Sequence, residues 1–314
     1  MNLMERYKID VPVALVFFIR PCLLKKVFAA IRQARPRQLF LIQDGPRSGR
    51  ADDEENIRAC RAIVEDIDWE CEVSRNYAEH NLGCGMRPYT GISWVFEHVD
   101  RAIILEDDCV PSQSFFTFCC ELLDYYENDG RIGMISGLNH FGKCVCEASY
   151  FFAKSGANTG WATWKRVWEQ YDYGFSYADG LDKRAIEQQF PSSRAARDRI
   201  SAWQKGRDRI NNGDNVSFWD LQLEACKFAY NYATIIPAKN LVTNIGTGKS
   251  STHNAFKSPF NNLPAYEMRE LIHPAGFAQN DAYDRRYYRI VSPPLYKKAV
   301  NKMKIIAGRL FAPT

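Results

Sequence analysis

The chain has 314 residues, 46% hydrophobic and 13% aromatic, with 41 Lys and Arg against 37 Asp and Glu for a formal net charge of +4. That length and apolar content support a large buried core, in one enlarged domain or in a domain with a substantial extension. The charge is too slight, and the basic residues too scattered, for a nucleic-acid-binding surface.

The first half alternates strand and helix signals. Residues 11–19, "VPVALVFFI", form a continuous β-rich apolar run, and Pro21 opens a helical pattern through about Ala34, where proline suits a first turn. Gln38–Gln43 repeats the strand signal and ends in the turn Asp44-Gly45-Pro46. Asp52 and Asp53 are placed to cap a helix through about Ile67. Residues 69–74 read as a third strand, 85–99 as a third helix and 101–105 as a fourth strand. Strands separated by helices imply parallel crossovers. Runs that are apolar on both faces imply a sheet covered on both sides. The fold class predicted is therefore α/β, with a Rossmann-like, mainly parallel sheet flanked by helices.

The second half is less regular. Ser112–Asn128 reads as a helix and Ile132–Ser136 as a strand, after which glycines, aromatics and Cys144 and Cys146 break the rhythm. In "GWATWKRVWEQY", at 160–171, Trp161, Trp164 and Trp168 recur at helical spacing, which predicts one aromatic helix face, for core packing or for stacking on a ring. Residues 181–212 carry eight Arg or Lys and read as solvated helix and loop. The predicted organisation is a first α/β part over 1–136, a less regular part of the same domain over 137–264, and a C-terminal extension over 265–314.

Ten cysteines without a Cys-x-x-Cys pair, two of them adjacent at Cys119 and Cys120 in an apolar helix, predict buried free thiols in a reducing compartment. The apolar run at 11–19 is less than half a membrane span and lacks signal-peptide flanks, so the location expected is cytoplasmic. The tail at 293–311 interleaves Lys297, Lys298, Lys302, Lys304 and Arg309 with apolar residues. Such a helix suits the anionic inner face of a membrane, or packs on its own domain.

The chemistry concentrates at 103–111, "IILEDDCVP", where Glu106, Asp107 and Asp108 follow an apolar strand. Ligands of open α/β sheets bind outside the carboxyl ends of the strands. Arg20, Asp44 and the acidic triplet all fall at such ends. Carboxylates there can hold Mg²⁺ or Mn²⁺, hard cations that leave positions for phosphate oxygens. If the segment stays extended, Glu106 and Asp108 face one space and Asp107 another. The reaction that needs this arrangement displaces a nucleoside diphosphate from carbon, with metal charge assisting the leaving group.

Three ordered blocks then resemble a known family. Residues 81–116, "NLGCGMRPYTGISWVFEHVDRAIILEDDCVPSQSFF", with "IQDGP" at 42–46 and "NLVTNIGTGKSSTH" at 240–253, are similar to bacterial GT-A-fold glycosyltransferases of surface-polysaccharide synthesis. A more distant similarity is to the N-acetylglucosaminyltransferase I family. The resemblance covers roughly residues 10–255 and implies a GT-A fold, an inverting mechanism, Mn²⁺ or Mg²⁺, a nucleotide-sugar donor and a glycan or lipid-linked acceptor. It implies that Asp108 ligates the metal, with His253 a second ligand or a phosphate partner, and that Glu106 and Asp107 lie near the ribose and donor sugar. Arg20 and Arg87 would contact the nucleotide or its phosphates, and Asp44 the base; Lys249, where the loop departs from the family, either touches the diphosphate or marks a loop that has drifted. Asp220 would be the base that takes the acceptor proton, with Asp214 as the cap of its helix. Trp161 and Trp219 would line the acceptor site, because sugars stack on indole rings. Lys249-Ser250-Ser251 departs from the family's usual acidic or small residues.

Two rivals share this sheet type. A sugar-1-phosphate nucleotidylyltransferase would carry a Gly-rich basic loop after the first strand, where this chain has "FIRPCLLKK". A carbohydrate or nucleotide-sugar binding protein would have lost residues among Asp108, Asp220 and His253, all of which are present. The glycines at 246 and 248 lack the spacing of a nucleoside triphosphatase loop.

Overall fold

The computed structural model describes residues 9–176, 182–246 and 258–293. In chain order the first half runs β1 (Val13–Phe17), α1 (Pro21–Ala34), β2 (Gln38–Gln43), α2 (Ala51–Val64), β3 (Glu72–Tyr77), α3 (Gly83–His98) and β4 (Arg101–Glu106). The second half runs β5 (Cys109–Pro111), α4 (Gln113–Tyr125), β6 (Ile132–Ser136), β7 (Tyr150–Ala153), β8 (Trp161–Trp164) and α5 (Lys165–Trp168). It continues through α6 (Lys183–Glu187), α7 (Ser193–Asn211), α8 (Asp220–Ala229), β9 (Ala233–Pro237), β10 (Val242–Asn244) and α9 (Asp281–Val291).

Eight strands form one sheet in the order β3-β2-β1-β4-β8-β6-β9-β7. The pairs β2/β3, β1/β2, β1/β4 and β6/β9 are parallel, while β8 and β7 run against their neighbours. Six strands thus share one direction, and the α/β, mainly parallel fold read from the sequence is the fold observed. The strand period of two separates the core into two layers. Val13, Leu15, Phe17, Leu39, Leu41, Ile103 and Leu105 pack with α1 and α4. Ala14, Val16, Phe40, Ile42, Ala102 and Ile104 pack on the other face with Ile92, Val95 and Phe96 of α3 and with Trp161, Trp168 and Trp219.

Several local expectations are corrected. The third strand lies at 72–77 rather than 69–74, because Glu72 pairs with Gln38, and Trp69 instead donates its indole N–H to Pro36 O at 2.9 Å. Arg50, not Asp52 or Asp53, occupies the N-cap of α2. Asp53 is buried and holds Arg47 through its backbone N–H at 2.9 Å and its guanidinium at 2.8 and 2.6 Å. The tryptophan segment does not form one helix. Trp161–Trp164 is a strand antiparallel to both β4 and β6, with Ile104 opposite Trp161, and only Lys165–Trp168 is helical. Asp214 caps nothing and pairs with Arg209 at 3.2 Å, while Trp219 stands at the N-cap of α8. All ten cysteines are free thiols, but only Cys60, Cys109, Cys119 and Cys226 are buried. Among the described residues no helix is long and apolar enough to cross a membrane. The basic tail from residue 294 onward lies outside the described residues.

The second half carries a buried cation. Lys227 of α8 is 3% exposed, and its ammonium donates to Thr234 Oγ1 at 3.0 Å. Burial lowers its pKa from 10.5 to about 8, with Glu224 and Asp284 opposing. The unfolded chain binds this proton up to the ordinary lysine value, so folding is penalised at neutral pH and the penalty disappears as pH rises from about 8 toward 10.5. Lys227→Met should therefore stabilise the protein by roughly 1–2 kcal/mol at pH 7.5, the cost of the charge less the lost hydrogen bond. In thermal unfolding, the stability gain of the native chain between pH 8 and 10 should be smaller in this variant; equal slopes would refute the assignment.

Candidate functional site

The parallel strands β1, β2 and β4 end together, and the loops leaving them build the site. The link from β1 to α1 is three residues long and delivers Arg20 to the N-cap of α1, directly before Pro21. β4 ends at Glu106, and Asp107 and Asp108 turn the chain into β5. Asp107 N–H donates to Val16 O at 3.1 Å, which fixes this turn against β1.

Arg20 lies between the two aspartates. Its guanidinium pairs with Asp107, with Nε to Oδ2 at 3.2 Å, and its Nη1 reaches Asp108 Oδ2 at 3.0 Å. Burial works against the charge on Arg20, but Asp107, Asp108 and Glu106 outweigh it and hold the guanidinium firmly protonated. This corrects the expected alternation: because the chain turns at 107–108, Asp107 and Asp108 share one cation, and Glu106 is left on the face of α3 and α8. Burial, then Asp108 and Asp107, push the Glu106 carboxyl up to about 8, with Arg20 only partly opposing and Asp220 adding to the rise.

β10 closes the turn from the other side. Val242–Asn244 pairs antiparallel with Cys109–Pro111, and Ile245 N–H donates to Asp108 O at 2.8 Å. Gly246 follows, so close that a Cβ there would fall inside contact distance of the Asp108 carboxylate. Two of the blocks that carry the family resemblance thus meet at Asp108. Lys249 and His253, predicted for the diphosphate and the metal, lie outside the described residues.

Asp220 reaches the same crevice from α8. It is exposed at the first position of the helix, where the N-terminal dipole favours a carboxylate, and it contributes to the charge felt by Glu106. Its seat is rigid. Tyr171 donates its hydroxyl to Trp219 O at 2.9 Å, and Tyr89 stacks between Tyr171 and Tyr173 at 5.5 and 5.0 Å. A Cβ on Gly85 in the first turn of α3 would collide with Val216 O, so α3 packs directly on the lead-in to Asp220. Tyr171 and Cys84 are site-forming residues that the sequence reading missed. Cys84 is half-buried at the start of α3 and senses Glu106, Asp44 and Asp220. Both lie in stretches that the sequence reading singled out for other residues, and only folding brings them here.

The structure gives other predicted residues structural work. Asp44 is buried, and its carboxylate accepts from Gly45 N at 2.9 Å, Leu82 N at 2.8 Å, Gly83 N at 2.9 Å and Asn81 Nδ2 at 2.9 Å. Burial pushes its pKa up while the backbone donors pull it down. It fastens the start of α3 to the end of β2 rather than presenting a free acceptor to a base. Arg87 is 4% exposed and donates Nε to Gln43 O at 3.1 Å and Nη2 to Asn76 Oδ1 at 2.9 Å, tying the ends of β2 and β3. Burial lowers its pKa, with Asp44 opposing. Trp161 and Trp219, at 1% and 5% exposure, stack on one another at 5.9 Å inside the core and offer no open face to an acceptor sugar.

The donor chemistry suits a divalent cation. Asp107 and Asp108 share the Arg20 guanidinium, and burial, ahead of the two aspartates, raises the Glu106 carboxyl. Carboxylate oxygens are hard donors of the kind that Mg²⁺ and Mn²⁺ take. Among the described residues no group of three potential ligands converges on one point.

No protein-family model and no curated protein matches the chain. Among solved structures, one match is the crystal structure of UDP-glucose pyrophosphorylase complexed with UDP-glucose, at a TM-score of 0.30 and 10% identity, covering 51% of this chain and 78% of that one. A likeness of that size assigns neither family nor activity.

Removing Arg20 would leave Asp107 buried without its cation. Arg20→Met should cost about 3 kcal/mol in denaturant unfolding, and adding Asp107→Leu should recover most of that loss. With Asp107→Leu measured alone as well, a double variant whose loss is the sum of the two single losses would show that the pair is not coupled.

Proposed function

We propose that the chain is a nucleotide-sugar-dependent glycosyltransferase of the GT-A kind. It moves a sugar from a nucleoside diphosphate to a hydroxyl of a glycan or lipid-linked acceptor, with inversion, in cell-surface polysaccharide synthesis. The observation that carries this reading is the convergence of the Glu106–Asp107–Asp108 turn, compensated by Arg20, with Asp220 arriving from another element. In this reading residues 1–136 hold the donor, residues 137–264 supply the base and the acceptor side, and residues 265–314 form an extension.

Asp220 takes the proton of the acceptor hydroxyl as its oxygen bonds to the anomeric carbon. The bond from that carbon to the diphosphate breaks, and its electron pair leaves on the phosphate oxygen. Arg20 holds Asp107 and Asp108 in place and moderates their charge as the anionic leaving group forms. A bound Mg²⁺ or Mn²⁺, held through Asp108, would supply Lewis-acid charge to the diphosphate. Asp44 and Arg87 act indirectly, by fixing the strand ends and the start of α3 that frame the crevice.

One local feature favours this over nucleotidyl transfer. The connection from β1 to α1 is only Phe18–Arg20 and contains no glycine, too short to wrap a triphosphate. The full chain with Mn²⁺ and a panel of nucleotide sugars should release nucleoside diphosphate from one donor, and chelation should abolish it. Asp220→Asn should lower turnover about 10²–10⁴-fold with donor affinity retained, and Asp108→Ala should lose the metal dependence. Pyrophosphate release from a nucleoside triphosphate and a sugar 1-phosphate would establish the nucleotidylyltransferase instead. Donor binding without turnover across an acceptor panel, unchanged by Asp220→Asn, would establish a binding protein.

A further inference from the structure

Ser112 stands at the N-cap of α4 with φ −71° and ψ 163°, the extended backbone from which a serine hydroxyl ordinarily accepts from the second or third N–H of a helix. It makes no such bond, and among the described residues its buried Oγ has no hydrogen-bond partner. A carboxylate from far along the chain does that work. Glu267 accepts from Gln113 N at 3.0 Å and from Ser114 N at 2.9 Å, and the Ser114 hydroxyl donates to the same carboxylate. Met268 N–H in turn donates to Ser114 Oγ at 2.7 Å. Negative charge at the first turn of a helix is favoured by the helix dipole and by charge-assisted hydrogen bonds.

The segment that carries Glu267 is bonded along β10. Asn262 N–H donates to Asn244 O at 2.9 Å, and Thr243 Oγ1 donates to Leu263 O at 2.8 Å. Asn240, just before β10, donates Nδ2 to Pro264 O at 3.1 Å and accepts at its carbonyl from Tyr266 N at 2.8 Å. β10 is thus held by this segment as well as by β5, and its continuation through Ile245 and Gly246 passes over Asp108. Residues 262–266 bond to β10 and its lead-in, while Glu267 and Met268 bond to α4, which follows β5 after one residue. Glu267 is therefore where the β10 side of the acidic turn is fastened to the β5 side. A cap for α4 alone needs only Ser112, already in the right backbone conformation; the carboxylate adds a link between distant segments that the serine cannot make.

We propose that Glu267 is a positioning residue for the Asp107–Asp108 turn, fastening β10 to the corner between β5 and α4 so that Asp108 is held in one place. When the carboxylate is removed, Ser112 takes over the cap, so α4 persists while the turn loosens. The consequence for metal and nucleotide binding rests on the glycosyltransferase reading; the positioning of the turn does not.

The test is backbone amide hydrogen exchange in the full-length protein, resolved by NMR, with Glu267→Ala, Glu267→Gln and the double variant Ser112→Ala/Glu267→Ala beside the native chain. In Glu267→Ala the amide of Ile245, which bonds to Asp108 O, should exchange about tenfold faster, the size of one lost cap, while the amides of β2 exchange as in the native protein. Glu267→Gln keeps one acceptor oxygen; it should fall between the two, and it serves if the alanine variant does not fold. The amides of Ser114 and Phe115 should stay protected in Glu267→Ala and lose protection when Ser112→Ala is added. Unchanged exchange at Ile245, or equal acceleration of all amides including those of β2, would overturn the positioning role. Lost protection at Ser114 and Phe115 in Glu267→Ala itself would refute the takeover by Ser112. Binding of Mn²⁺ with UDP or GDP, measured calorimetrically on the same samples, should weaken about tenfold in Glu267→Ala and vanish in Asp108→Ala. Binding that is lost in Asp108→Ala yet unaltered in Glu267→Ala would also overturn the role. Faster exchange at Ile245 in a protein that binds neither metal nor nucleotide would support the positioning and count against the transferase reading.

Discussion

Three adjacent carboxylates at the end of a buried strand are the constraint around which this structure is arranged. Like charges at that spacing cannot all stay ionised in a poorly hydrated place without a cation. Arg20 supplies it, and it can do so because β1 and β4 are parallel neighbours whose carboxyl ends adjoin. The guanidinium fork satisfies two aspartates at once, a geometry that lysine cannot reproduce. Glu106 is left over, and burial, then Asp108 and Asp107, raise its carboxyl toward the neutral form.

The rest of the crevice is built from backbone held at close quarters. β5 and β10 clasp the acidic turn, and the missing side chain of Gly246 lets the chain pass directly over Asp108. Asp44 gathers four donors from two loops and the start of α3, while Arg87 draws the ends of β2 and β3 together. These two residues look like ligand contacts in a linear motif, yet their hydrogen-bonding capacity is directed inward. They keep the strand ends in register so that Arg20, Glu106 and Asp220 meet.

The second half continues the sheet by different means. β8 enters antiparallel between β4 and β6 and brings Trp161 into the layer beneath Trp219, so the aromatic residues under the start of α8 are core packing. α9 then returns to the edge strand β7, where Asp284 accepts from the backbone N–H groups of Lys154 and Ser155.

The sequence alone determined the elements whose signal is local. Pro21–Ala34, Gln38–Gln43 and Ile132–Ser136 were legible to the residue, because the period of their apolar positions and their turn residues depend on neighbours in the chain. The acidic triplet was legible as the turn that ends a buried strand for the same reason, since it follows a parallel alternation. Tertiary structure decided the tryptophan segment, where spacings of three and four residues suit a helix but the open edge of β4 needed hydrogen bonds and took Trp161–Trp164 as a strand. It also decided which polar residues face a ligand and which face the protein. Burial of Asp44 and Arg87, the fork of Arg20, and the meeting of Asp220, Cys84 and Tyr171 are relations between distant segments. Desolvation and charge pairing act through space, so their outcome is fixed only when the layers close.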